Sequence, residues 1–413
     1  MTNERVDMLK NIEGKTTMKI YRQKFLSIFM TILLVFGLLS CGVQEGSEIT
    51  ESSAGDTTDV IQVTPTPDHE IKNIVLIIGD GMGIEHISAG QFYAGAPFAF
   101  ASWQYTSVNT DSVKVNTNRL TITDSAASGT ALATGHLTVN SYLGKDATGA
   151  DVPTILDYAA SLNKSTGVVT TDTLYGATPA AFSAHSIDRN AVETILTTQI
   201  ASNVNLLCGA VDTQCTARQV EILDAGYVFC DDFAQVDSTL SSDKAYWQFD
   251  LAGNGASIAL PDASVKALDF LDKDTDGFVL MIEQAYIDKY SHDNNFDEMV
   301  KSMSSLNDTV DAVMEWLGDR TDTVVLVTAD HETGALAIST SPVLANECTS
   351  FGTPIYYKWS RADHSNAKVG LFVHGVKADF TKFDFYASQH QIKNSDVYYL
   401  MYDILSNPIN YGE

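Results

Sequence analysis

The 413-residue sequence predicts an α/β fold, a mostly parallel central sheet with helices on both faces. Three observations carry it. Short Val- and Ile-rich runs alternate with longer amphipathic ones, as in βα repeats. The runs are apolar throughout, as strands covered on both sides are. Carboxylates follow several of them directly, where ligands gather in open α/β sheets.

Taken in order, "NIVLII" (73–78), "TGVVTT" (166–171), "GFVLMI" (277–282), "TVVLVTA" (323–329) and "VGLFVH" (369–374) predict strands. Residues 296–317 predict a helix with Met299, Met303, Leu306, Val310, Val313 and Leu317 on its core face. Between the first two strands lies "LTITDSAASGTALATGH" (120–136), an Asp–Ser pair leading into small residues. Asp124 or Ser125 can cap a helix there, and small residues let it pack closely. The same features suit a nucleophile, because a Ser at a helix N-terminus sits in a positive field and small residues admit a ligand. On this stretch alone the cap is the better explanation.

The N-terminus has its own organisation. Lys19, Arg22 and Lys24 precede the apolar run "FLSIFMTILLVFGLL" and then Cys41. That pattern is a secretory signal, too short for a bilayer span. "LLSC" (38–41) is similar to a bacterial lipobox, so Cys41 is expected to be lipidated and to anchor an exported protein to the cell envelope. The expected division is an upstream extension at 1–17, with translation starting at Met18, a signal at 18–40, a flexible polar tether at 41–70 and a folded domain at 71–413. The formal charge is −27, which argues against nucleic acid as a partner but leaves room for a small anion beside bound cations. Beyond Cys41 there are four cysteines, Cys208, Cys215, Cys230 and Cys348. An exported chain permits two disulfides among them in any of three connectivities.

The strand ends carry the chemistry. The first strand runs into Asp80, the third into Glu283, and the fourth into Asp330 and His331. Crowded acids repel, so a metal ion is their natural partner. In "DKYSH", Asp288 and His292 stand four apart, on one side of a helical turn, and offer donors suited to zinc. A competing motif, "DKDTDGFVLMIE" (272–283), fits the calcium loop of an EF-hand. It requires a helix after Gly277, where the sequence predicts a strand, and it takes Glu283 away from the other acids.

In combination, "IGDGMG" (78–83), "TDSAASGTALATG" (123–135), "ATPAAFSAHSIDR" (177–189), "EQAYIDKYSH" (283–292), "TADHETG" (328–334) and "RADHS" (361–365) closely resemble the alkaline phosphatase family, over about residues 71–375. Residues 200–265 and the tail past 376 resemble it only loosely.

The resemblance implies a phosphate monoester hydrolase acting through a phosphoserine intermediate at Ser125. It implies one zinc held by Asp80, Asp330 and His331 against the Ser125 oxygen. A second zinc would be held by Asp288, His292 and His364, and a third ion, usually magnesium, by Glu283, Thr178 and Asp80. Arg189 would clamp two phosphate oxygens, Asp124 would orient it, and Lys289 would lie near the phosphate and the third site. Small phosphate monoesters are the implied substrates, and relatives are often dimers. One departure stands out. Where many relatives have Asp or His two residues before Thr178, this chain has Gly176, so the third site loses that support.

Two other classes are weighed. Phosphodiester or sulfate ester hydrolysis could use the same fold, but a sulfatase needs a C-x-P-S-R or S-x-P-S-R motif that is absent, and Arg189 favours a terminal phosphate. A calcium-stabilised, non-catalytic binding lipoprotein is disfavoured by the intact set of Ser125, Arg189 and ligands.

Overall fold

A computed structural model describes residues 70–117, 119–348, 354–383 and 391–408, all within one compact unit. The expected upstream extension, signal, lipobox and tether lie outside the described residues, apart from Glu70 at the end of the tether.

The ten strands of the main sheet are β1 (Asn73–Gly79), β2 (Gln104–Asn109), β3 (Ser165–Thr170), β4 (Leu206–Ala210), β5 (Val228–Cys230), β6 (Ala245–Phe249), β7 (Phe278–Gln284), β8 (Thr323–Thr328), β9 (Val369–His374) and β10 (Gln391–Lys393). Their order is β10-β2-β9-β8-β1-β7-β3-β4-β6-β5. Every pairing is parallel except those of β9 with β8 and β2, so β9 alone runs against the rest. All residues of β1, β3, β4, β6, β7 and β8 are buried. Neighbouring residues of a strand face opposite ways, so the centre of the sheet is covered on both faces.

Helices α1 (Ile84–Ala94), α2 (Ser125–Thr134), α3 (Ala177–Ser183), α4 (Leu260–Leu271), α5 (Tyr286–His292), α6 (Phe296–Leu317) and α7 (Asn394–Ser406) do most of the covering. They fall into two packed groups: α6 lies against α1, α4 and α5, while α2 lies against α3 and α7. The predicted core stripe of α6 is buried at every named position. No described helix is long and apolar enough to cross a membrane.

The small residues of α2 have a packing reason. All ten are buried, and a Cβ on Gly129 would stand 3.1 Å from the Ala181 Cβ of α3. Bulkier side chains would push the two helices apart.

Two expectations meet corrections. All four cysteines are free. Cys208 and Cys230 both pair in register with Trp247, from opposite sides of β6. Two strand spacings, about 9.5 Å, separate them, beyond a disulfide's reach. The candidate calcium loop also comes apart. Residues 278–283 are strand, which carries Glu283 about 16 Å beyond Phe278 and away from the Asp272–Asp276 turn, at roughly 3.3 Å per residue. Asp272 instead pairs with Arg320 at 2.7 Å, and Asp274 accepts from Ser165 at 2.8 Å.

Candidate active site

Because β8, β1, β7 and β3 are adjacent and parallel, their carboxyl ends open on one rim. Ile78 stands in register with both Thr328 and Glu283, and Thr170 with Glu283. Asp80 and Asp330 follow within two residues, and α5 brings Asp288 and His292 from beyond β7. Gly81 makes this possible. Its φ is +73°, and a Cβ would stand 2.8 Å from the Asp288 Cα, so only glycine lets the β1 turn lie against α5.

Asp124 caps α2, accepting from Ala127 N–H at 2.9 Å, and leaves Ser125 as the first helical residue. The Ser125 Oγ lies 3.1 Å from His331 Nε2. Around that same nitrogen stand Asp330 Oδ2 at 3.1 Å and Asp80 Oδ1 at 3.6 Å. Both of those carboxylate oxygens are buried without a hydrogen bond. The other Asp330 oxygen is satisfied by Gly81 N–H at 3.1 Å and His331 N–H at 2.9 Å.

The His331 ring stacks on His364 with centroids 3.5 Å apart, which sets a second cluster beside the first. There His364 Nε2 lies 3.6 Å from Asp288 Oδ1, and His292 Nε2 lies 3.3 Å from Asp288 Oδ2. The tautomers follow from the far side of each ring. His364 Nδ1 faces the Thr123 carbonyl at 2.9 Å, and His292 Nδ1 faces the Ala362 carbonyl. A carbonyl only accepts, so both Nδ1 atoms carry hydrogen. In the neutral rings the two Nε2 lone pairs then confront each other at 3.1 Å. A cation, or one proton between them, has to sit there.

The titration shifts agree. The hydrogen bond to Asp288 raises His292 to about 9, whereas burial and the His331 charge lower His364 to about 4. Burial, then Asp330, Asp288 and Glu283, push Asp80 well above the ordinary carboxylate range. Burial alone would raise Asp288, but His292 and the other imidazoles outweigh it and hold it low.

The residues present fit bound metal. The groups Asp80, Asp330, His331 and Asp288, His331, His364 each bring donor atoms within 4.8 Å of one another, and the orphaned oxygens and opposed lone pairs need positive charge. His292 joins the second group by the distances above.

Beside the clusters, Glu283 accepts from Thr170 Oγ1. Burial and the Asp172 carboxylate raise Glu283 to about 8 against that bond and the nearby Thr178 hydroxyl. The Thr178 Oγ1 is itself buried without a hydrogen-bond partner. Lys289 Nζ reaches Asp172 Oδ1 at 2.6 Å. At the rim, Arg189 Nη1 donates to Asp124 Oδ2 at 3.2 Å, and the guanidinium is part-exposed. All twelve candidate residues therefore converge on one rim. Asp172 and Thr333 were missed. Asp172 follows β3 as Asp80 follows β1, so the strand-end rule could have found it. Thr333, whose hydroxyl donates to Asp288 and lies 3.2 Å from His331 Nδ1, gave no comparable signal.

Comparison with known proteins agrees with this geometry. The alkaline phosphatase family profile matches residues 71–226 and 243–395, reaching further into the middle and tail than the motifs suggested. The chain is 28% identical over 345 residues to alkaline phosphatase 3 of Bacillus subtilis (strain 168), covering 78% of this chain and 71% of that one. It is 29% identical over 345 residues to the alkaline phosphatase of Escherichia coli (strain K12), covering 67% and 73%. Among solved structures, the alkaline phosphatase of the Antarctic bacterium TAB5 superposes with a TM-score of 0.69 at 22% identity, over 82% of this chain and 98% of that one. That of Thermus thermophilus gives 0.67 at 18% identity, over 85% and 95%.

Family profile and fold together support a phosphoesterase of the alkaline phosphatase superfamily, metal-dependent as that family is. The chain belongs to the alkaline phosphatase family.

Proposed function

We propose that this protein hydrolyses phosphate monoesters through a phosphoserine intermediate at Ser125, with zinc at the two histidine-bearing clusters and magnesium beside Glu283. The observation that supports this most is the Ser125 Oγ set 3.1 Å from His331 Nε2, where two buried carboxylate oxygens lack partners. Mixed nitrogen and oxygen donors suit zinc, and an all-oxygen set suits magnesium. When bound, the ions supply the charge that ionises a serine hydroxyl and draws electrons toward a leaving oxygen.

The chain's own groups do the rest. Ser125 Oγ, its proton given up to solvent water, attacks phosphorus; the Oγ–P bond forms, the ester P–O bond breaks, and the leaving oxygen takes a proton from water. Water then cleaves the Oγ–P bond, its oxygen joining phosphorus and one of its protons returning to Ser125 Oγ, and phosphate leaves. The α2 terminus favours the alkoxide by about 0.3–1 kcal/mol. Arg189 grips two phosphoryl oxygens with its planar fork, which favours a terminal group with oxygens to spare. Asp124 fixes that fork, and the carbonyls of Thr123 and Ala362 hold His364 and His292 so that their Nε2 atoms point inward.

The test is turnover of an aryl phosphate monoester. We expect chelation to abolish it, and Ser125→Ala to lower it by several orders of magnitude while metal content stays near parental. Undiminished rates in either case remove the serine or the metals from the mechanism. We propose further that Cys41 is lipidated and anchors the chain outside the cytoplasm. Labelled fatty acid should enter the parent but not Cys41→Ala; equal labelling of both would show that Cys41 is not the acceptor.

A further inference from the structure

Gly176 has no conformational reason to be glycine. It caps α3 with φ −52°, which any residue adopts. A Cβ there would nevertheless stand 2.6 Å from Asp172 Oδ2 and 2.9 Å from the Thr173 carbonyl oxygen. The space a side chain at 176 would need is taken by the Asp172 carboxylate. That carboxylate is held firmly, with Oδ1 accepting from Thr173 N–H at 2.8 Å and Lys289 Nζ at 2.6 Å. Among the described residues, no donor reaches Oδ2. The Asp172 N–H donates at 2.8 Å to Thr170 Oγ1, whose hydroxyl donates to Glu283. Thr178 Oγ1, on a residue only 1% exposed, lies close enough to Glu283 to favour its ionised form but makes no hydrogen bond of good geometry.

We propose that Asp172, at the end of β3, completes the third cation site with Glu283 and Thr178, in place of the side chain that position 176 lacks. The site so formed is all oxygen, which selects a hard cation such as magnesium. Lys289 is its counter-charge, since the ammonium and the cation compete for one carboxylate. The proposal rests on the phosphoesterase reading for the presence of a cation beside Glu283. The identity of the residue that supplies the carboxylate is independent of it.

The experiment is calorimetric titration of magnesium into zinc-loaded protein, with elemental analysis of zinc and magnesium per chain. In Asp172→Asn, magnesium affinity should fall by about tenfold or more, and magnesium should be lost while zinc stays at the parental level. In Lys289→Met the sign reverses, and magnesium should bind more tightly. Parental magnesium affinity in Asp172→Asn, or zinc and magnesium falling together, overturns the assignment. Weaker binding in Lys289→Met overturns it too, and that variant keeps Asp172 should the asparagine protein fail to fold. If the parent takes up no zinc, the phosphoesterase reading fails first. If the parent takes up zinc and turns over while Asp172→Asn keeps its magnesium, only the role of Asp172 falls.

Discussion

The Asp124 carboxylate divides its oxygens between a helix and a guanidinium. Oδ1 accepts from Ala127 N–H at 2.9 Å, while Oδ2 accepts from Ser141 N–H at 3.0 Å and from Arg189 Nη1 at 3.2 Å. Capping and catalysis, rivals as readings of the sequence, are compatible here because one residue caps and the next is free to react. Asp124→Ala should therefore lower stability by about 1 kcal/mol through the lost cap and raise KM by releasing Arg189. Thermal denaturation and steady-state kinetics on one preparation measure both, and a stability loss with an unmoved KM would leave Asp124 a cap only. Arg189→Lys keeps the charge but loses the fork. Phosphate ester KM should rise roughly ten- to hundredfold, and a parental KM would show that a point charge suffices.

At the scale of elements, the rim is built by turns that leave parallel strands, and Gly81 is its tightest point. Gly81→Ala places a Cβ 2.8 Å from the Asp288 backbone at φ +73°. We expect a loss of about 2–4 kcal/mol from the left-handed backbone and the overpacking, with zinc retention falling because Asp288 is displaced. Full zinc content in that variant would mean that the β1 turn can move without disturbing α5. The five strand segments and α6 were legible because burial on both faces gives unbroken apolar runs and a helix against a sheet repeats its stripe. Strands β2, β4, β5, β6 and β10 were not. β2 alternates in exposure, and β5 and β10 span only three residues each. The site was legible where a strand ends in a carboxylate, as at Asp80 and Asp330. Asp172 obeys the same rule, directly after the strand predicted at 166–171, but lies in none of the motifs that resemble the family. The free cysteines were illegible for another reason: a disulfide depends on which strands are neighbours, and spacing along the chain does not give that.

For the molecule as a whole, metal binding and acidity are linked. Glu283 is raised to about 8 and His292 to about 9, so both groups hold protons in the metal-free fold that the unfolded chain would release. Stability from each is complete below its unfolded pKa and is lost as pH rises through the folded one. Across pH 6.5 to 9 the metal-free protein should therefore lose stability with rising pH. The metal-loaded protein should not, because the ions replace those protons. Thermal melts of both forms across that range check this, and parallel curves would contradict it. Uptake of metal at pH 7 should release protons, visible as a dependence of the binding heat on the buffer's ionisation enthalpy. The central claim is that two cations lie side by side on the sheet's carboxyl rim, one against Ser125 and one between Asp288 and the His292–His364 pair. Zinc-edge anomalous diffraction from crystals of the zinc-loaded protein tests it most directly. We expect two adjacent peaks, one among Asp80, Asp330, His331 and Ser125, the other among Asp288, His292 and His364. A single peak, or zinc bound elsewhere while the enzyme turns over, would contradict it.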